Sequence, residues 1–434
     1  MKHKKRLVAG VAALAVASAA GVAVVWNRQS GAVAPPGAVA VAAEATATPA
    51  ELTDALKKVR RTEVDALLAT RATAVLKGDL RGFLAAVDPK QPKLVARQRM
   101  LFTNLQKFGL RQLAYTVAEE RHSPEVAQKF GATGFRTRVM MRYQLTGLDP
   151  KPVRTDLGYT FVKRDGRWIL VEDNAIDTEL SRDGHRQPWD YQEVAVVRNG
   201  KVVVVVDKRE LALGQKIAKI SKASVDGVRR HWAGGWDGSV MVVAMPEARV
   251  LSVLWVSGNG RGWTIAGTAV PTYDEDPVSP GRTAAVSTRI VINPQVRKGL
   301  TKDLLVHEMT HAATQRVGRQ GPMWLVEGFA EYVRCAVIED DPHWTVDPYR
   351  KRVRTTLASM KALPGPAEFA AAGDRSYGQS WWVLEYLVDR LGEKKVAALY
   401  ADLAAHATGA DAILKKHTQM TPAQLLAAVR KFRG

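Results

Sequence analysis

The spacing of apolar positions changes several times along the chain, and each change marks an element. From Glu51 onward, Leu56, Val59, Val64, Leu67, Leu68, Ala72 and Leu76 recur at helical spacing and predict an amphipathic first helix. Short helices over 80–87 and 93–107 follow. Beyond Gly109 the pattern turns to strands over 110–118, 136–146 and 157–163, and Asp165-Gly166 predicts a hairpin into 168–172. Helices followed by a curled antiparallel sheet describe an α+β unit spanning 51–178.

A connection over 183–190 leads to a second region, 190–434. There, 194–198 and 201–206 flank Asn199-Gly200, a hairpin signature. Helical periodicity covers 211–232. Strands are predicted over 240–244, 263–270 and 287–292, the last stopped by Asn293-Pro294 because proline cannot continue a ladder. From Gln379 to Phe432 the chain reads as helical, with Thr421 as N-cap and Pro422 at the first position of the last helix.

The N-terminus has a different character. Lys2, Lys4, Lys5 and Arg6 precede an uncharged apolar run from Leu7 to Trp26, with Ala17-Ser18-Ala19 matching a signal-peptidase site. The run continues past that site at nearly membrane-spanning length, so residues 1–26 read as a signal peptide or a retained signal anchor. Either reading exports the remainder of the chain and makes its location extracytoplasmic, membrane-anchored or secreted. Residues 27–50, rich in Ala, Val, Pro, Gly and Thr, read as a flexible linker.

Charge and cysteine narrow the chemistry. Lys and Arg total 63 against 43 acidic residues, a net charge of +20. That favours anionic cell-envelope polymers as partners, while export and the lack of a recognition motif argue against nucleic acid. Cys335 is the only cysteine, which excludes an intramolecular disulfide and a thiolate metal site.

Residues 307–311 read His-Glu-Met-Thr-His within a helix predicted over 301–317, with Thr301 as N-cap. Histidines four apart share a helix face, so both imidazoles can reach one ion, and Glu308 projects beside it where it can take a proton from water. Gly321-Pro322 then opens a second helix carrying Glu327 and Glu331, four apart, among Trp324, Leu325, Val326, Phe329, Ala330 and Val333. Carboxylates in an apolar run are costly to bury unless paired or metal-bound. A catalytic zinc site needs three protein ligands and an open position. Glu327 is the third ligand beside His307 and His311, and Glu331 is suited to fixing a histidine tautomer.

These two motifs together resemble the gluzincin clan of peptidase MA-like domains, and 324–330 is similar to the matching stretch of membrane alanyl aminopeptidases. The resemblance implies Zn2+ held by His307, His311 and Glu327, Glu308 as general base, a peptide or protein substrate, and a mixed sheet with active-site helices. It also implies a strand lining the cleft, for which 288–293 with a free edge is the fit, and an oxyanion-stabilising tyrosine, for which Tyr377 is the best match. The His311–Glu327 gap is shorter than in the aminopeptidases, so their exopeptidase specificity does not carry over. Val317 stands where a metzincin has its third histidine, which excludes that class.

The first region resembles the nuclear-transport-factor-like cone fold through Leu67-Leu68-Ala69-Thr70-Arg71-Ala72, Lys77-Gly78-Asp79 and Arg164-Asp165-Gly166-Arg167-Trp168. That implies a small-molecule pocket or a docking module, and His122 reads as a loop residue. Two rivals to the peptidase remain: a catalytically silent zinc-binding scaffold, and a protein whose function lies in the cone-like region.

Overall fold

The computed structural model describes residues 54–121, 123–131, 133–174, 177, 186–251, 266–274 and 285–434. The N-terminal basic and apolar segment, the linker, His122, residues 183–185 and the 263–265 start of one predicted strand lie outside them. No helix among the described residues is long and apolar enough to cross a membrane.

The first region opens with helices α1 (Asp54–Lys77), α2 (Leu80–Leu84) and α3 (Pro92–Leu105). In α1, Val64, Leu68 and Ala72 are buried, as the spacing predicts. Leu56, Val59 and Leu76 are about half exposed (54%, 55% and 46%), so the buried stripe is narrower than the apolar one. Strand β1 (Leu110–Arg121), a short helix α4 (Pro124–Phe130) with no sequence expectation, and strands β2 (Phe135–Leu145), β3 (Val153–Arg164) and β4 (Arg167–Glu172) follow. The four strands form an antiparallel sheet in chain order. At the β3–β4 hairpin both Asp165 (φ 50°) and Gly166 (φ 73°) adopt the positive φ that such tight turns require.

The second region forms a five-stranded mixed sheet. It contains β5 (Val194–Asn199), β6 (Val202–Asp207), helix α5 (Leu211–His231), β7 (Val240–Val243), β8 (Gly267–Thr272) and β9 (Ser287–Ile292), in the order β5-β6-β7-β9-β8. Strand β9 is therefore interior, parallel to β7 and antiparallel to β8. This corrects the expectation of a free edge at 288–293: the edge next to the later helices belongs to β8. The reason is sequence order, since β8 is added outside β9 although it precedes it.

Both faces of this sheet are covered, which explains the unbroken valine run of β6. Val202, Val204 and Val206 join the core under α5, together with helices α6 (Lys302–Thr314) and α7 (Met323–Glu339). Val203 and Val205 join Met241, Val243 and Val291 in a second core with α3 and the first sheet. The first region thus packs on the back of the second sheet. Asn104 of α3 ties them by donating to the Trp189 and Gln192 carbonyls and accepting from the Val194 amide (3.0, 2.8 and 3.1 Å).

A buried ion pair crosses the same interface. Arg289 of β9 donates to both oxygens of Asp149, which lies just after β2, at 2.9 and 3.1 Å, and Ser287 donates to the same carboxylate at 2.5 Å. The chain ends in helices α8 (Asp347–Thr356), α9 (Pro366–Leu391), α10 (Glu393–Ala405), α11 (Ala410–Thr418) and α12 (Pro422–Lys431). Thr421 caps α12 as expected, accepting from the Gln424 amide, whereas Thr301 stands at the N-cap of α6 without a side-chain bond. Pro322 is itself the N-cap of α7.

Asp149→Ala leaves Arg289 buried without its counter-charge. The expected cost is about 3–5 kcal/mol of stability, read as a lower denaturation midpoint, with both regions of the chain unfolding together because they share a core.

Candidate metal centre

Helix α6 is buried continuously from Leu305 to Thr314, so its polar residues are enclosed rather than solvated. It packs against α7, whose Glu327 and Glu331 are also buried. Helix α9 closes on α7 at Gly328: a Cβ there would lie 2.5 Å from the Ser380 carbonyl oxygen, so only glycine permits this approach. Tyr377 is carried on α9 in the interior of that helix, beyond a kink at Ala372 (φ −151°, ψ 60°). Helical structure therefore starts at Pro366 rather than Gln379, and Tyr377 lies five residues beyond the kink, early in the second helical stretch.

The structure brings His307, His311 and Glu327 together as one cluster of potential metal ligands. Nε2 of His307 and Nε2 of His311 are 3.1 Å apart, and each lies 3.4 Å from Oε2 of Glu327. A tetrahedral ion with bonds of about 2.1 Å holds its ligand atoms about 3.4 Å apart. The three donors are thus spaced for one such ion, and nitrogen with carboxylate oxygen is a donor set that suits zinc.

Behind His307, Nδ1 is 2.9 Å from Oε1 of Glu331. Glu331 in turn accepts two bonds from Arg334, at 3.0 Å from Nε and 2.5 Å from Nη2, and one at 3.5 Å from the Tyr349 hydroxyl. Glu331 has the geometry of a residue that fixes the His307 ring and directs Nε2 at the ion.

The electrostatics point the same way. Burial raises the Glu331 carboxyl, but the Arg334 charge and the bond to His307 overcome it and bring the group down to about 2. Burial pulls the His307 imidazole down, yet hydrogen bonds to Glu327 and Glu331 push it up to about 10, so the carboxylates around it demand a positive charge. Glu327 is held below its usual range against its own burial by the charge of His311 and by bonds to both histidines.

Glu308 differs from the other two carboxylates. It is fully buried, neither oxygen makes a hydrogen bond of good geometry, and burial raises its affinity for a proton while the two histidines and the Ala269 backbone amide lower it. Its Cγ lies beside Gly267 of β8, where an added Cβ would come within 3.5 Å. A buried carboxylate without a side-chain partner beside such a cluster calls for an explanation other than packing.

Tyr377 reaches the same place. Its ring centroid is 5.9 Å from that of His307, and burial with the nearby Glu327, Glu308 and Glu331 holds its phenol well above the ordinary range. Beside these groups lies a cavity of about 310 Å³ bounded by Leu300, Leu304, His307, Glu331, Tyr349 and Tyr377. Arg334 and Tyr349 carry no motif that marks them in the sequence. Arg334, three residues after Glu331, was within reach of helical spacing; Tyr349 was not.

A family model for the Peptidase MA superfamily matches residues 283–419, a span from β9 to the C-terminal helices that contains all six of the predicted site residues. The match gives this stretch a metallopeptidase-like fold and implies peptide or protein substrates. It does not reach 51–178 and lends no support to the cone-like resemblance there. No curated protein matches the chain.

Glu331→Gln removes the charge that orients His307. The expected result is a metal affinity about 10–100-fold weaker, measured by chelator competition, with His311→Ala losing the metal altogether.

Proposed function

We propose that the chain is an exported zinc-dependent metallopeptidase of the gluzincin type, hydrolysing peptide bonds. The observation that carries this reading is the pairing of three donors at 3.1–3.4 Å with a buried Glu308 beside them that has no side-chain partner. A silent scaffold would have no use for that carboxylate, whose burial without a side-chain partner costs free energy. Export rests on the basic flank and apolar run at the N-terminus, and the net charge of +20 suits an anionic cell envelope.

His307, His311 and Glu327 would hold the ion, and Glu331 with Arg334 keeps His307 in register. When bound, zinc supplies a Lewis acid and lowers the pKa of a water it holds to about 7. Glu308 takes a proton from the attacking water and delivers it to the leaving amine, a role favoured by its raised proton affinity. Tyr377, kept protonated, donates to the oxygen of the tetrahedral intermediate. Burial of the helices around them limits competing water, which strengthens each of these interactions.

Glu308→Gln is expected to retain about one zinc per chain while losing about 10²–10⁴-fold in turnover. Tyr377→Phe is expected to lower kcat by about 10²–10³-fold with metal content intact. A chelator should abolish cleavage in the unaltered chain and added zinc should restore it; full activity in Glu308→Gln, or in metal-free protein, overturns the reading.

A further inference from the structure

Among the described residues, strand β8 is the sheet edge beside Glu308, and its outward positions are not equivalent. The carbonyls of Ala266 and Thr272 bond to the amides of Asn293 and Val286 at 2.9 and 2.8 Å, so even-numbered residues turn towards β9. With an unbroken register, Gly267, Ala269, Pro271 and Tyr273 turn outward. Gly267 lies against Glu308. The Ala269 carbonyl is already taken by the Gln315 side-chain amide at 3.1 Å. Pro271 has no N–H to offer. The Tyr273 carbonyl accepts from the backbone amide of Arg154 in β3 at 2.7 Å, and Lys151 pairs with Asp274 just beyond.

The first sheet therefore sits across the end of the edge strand. It is anchored there by the buried contacts of Asp149 with Ser287 and Arg289. An extended peptide lying on β8 meets usable backbone groups at Gly267, next to the base. It meets an occupied acceptor, a missing donor and then a wall in the other direction. At about 3.3 Å per residue, the four steps from Ala269 to Tyr273 span about 13 Å, which is room for about four substrate residues.

We propose that the first region of the chain is an end-stop for the substrate groove, so that cleavage falls within about four residues of one end of a peptide. The inference rests on the peptidase reading and adds the substrate class: free peptide ends rather than interior segments of long or cyclic chains. In the opposite direction from Gly267, Ala266 lines the cavity beside His307 and Tyr377.

The test uses the zinc-loaded full chain and a peptide with one cleavable bond, lengthened by up to about eight residues on its N-terminal side in one series and its C-terminal side in another. The expected result is that kcat/KM falls by at least about tenfold in one series once the extension passes about four residues, while the other series stays level. Equal rates in both series, or cleavage of the cyclised peptide as fast as the linear one, overturn the end-stop. Binding of the same peptides to zinc-loaded Glu308→Gln, followed by fluorescence anisotropy, separates this from failure of the peptidase reading. One-sided length dependence of binding without cleavage by the unaltered chain retains the end-stop and removes the enzyme. Binding indifferent to length, or no binding, removes the end-stop.

Discussion

Three carboxylates, Glu308, Glu327 and Glu331, are buried around two imidazoles in one apolar layer between α6 and α7, and the rest of the molecule is organised by that charge. Unpaired carboxylates in such surroundings are costly, so each needs a compensating group. Glu331 has Arg334, and Glu327 has the two histidines. Glu308 alone has no side-chain partner, only the field of the nearby imidazoles and the backbone amide of Ala269. The separation of roles comes from this inequality. In the proposed peptidase, the carboxylate most tightly held would act as a support, the one between the imidazoles as a ligand, and the one without a side-chain partner as the proton carrier.

Keeping that layer dry requires close helix packing, and the chain achieves it with small residues and large ones in alternation. Gly328 lets α9 approach α7, which brings Tyr377 to His307, while Trp381 stacks on Tyr349 at 4.7 Å and so steadies the hydroxyl that faces Glu331. The Tyr400 hydroxyl donates to Thr314 at the end of α6. The centre is thus braced from α8, α9 and α10, although none of its metal ligands comes from those helices.

Much of this was legible in the sequence because helical spacing is short-range information. His307, Glu308 and His311 lie within about one turn, and Glu327 and Glu331 within another, so their shared faces are set by 3.6 residues per turn. The hairpins at Asp165-Gly166 and Asn199-Gly200 were equally local. What escaped depended on order in space. The edge position of β8 cannot be read from its residues, because a strand's place in a sheet is set by packing between distant segments. Likewise the valines of β6 announce a strand buried on both faces but not what covers each face. Tyr349 and Gln315 carry no spacing signal at all, since their partners Glu331 and Ala269 are 18 and 46 residues away.

Strand β9 joins these two kinds of information. Its successive side chains point to opposite faces. Thr288 donates to Gln315 at the end of α6, whereas Arg289 turns the other way to Asp149 of the first region. Gln315 continues from Thr288 to the Ala269 carbonyl of β8. One rigid strand therefore fixes the helix of the candidate ligands, the edge strand and the first region relative to one another. Because β9 is interior and fully buried, a shift of any one of the three would break a buried hydrogen bond or expose a buried charge. The first region is accordingly tied, through buried contacts on β9, to the edge strand and to the helix that carries Glu308.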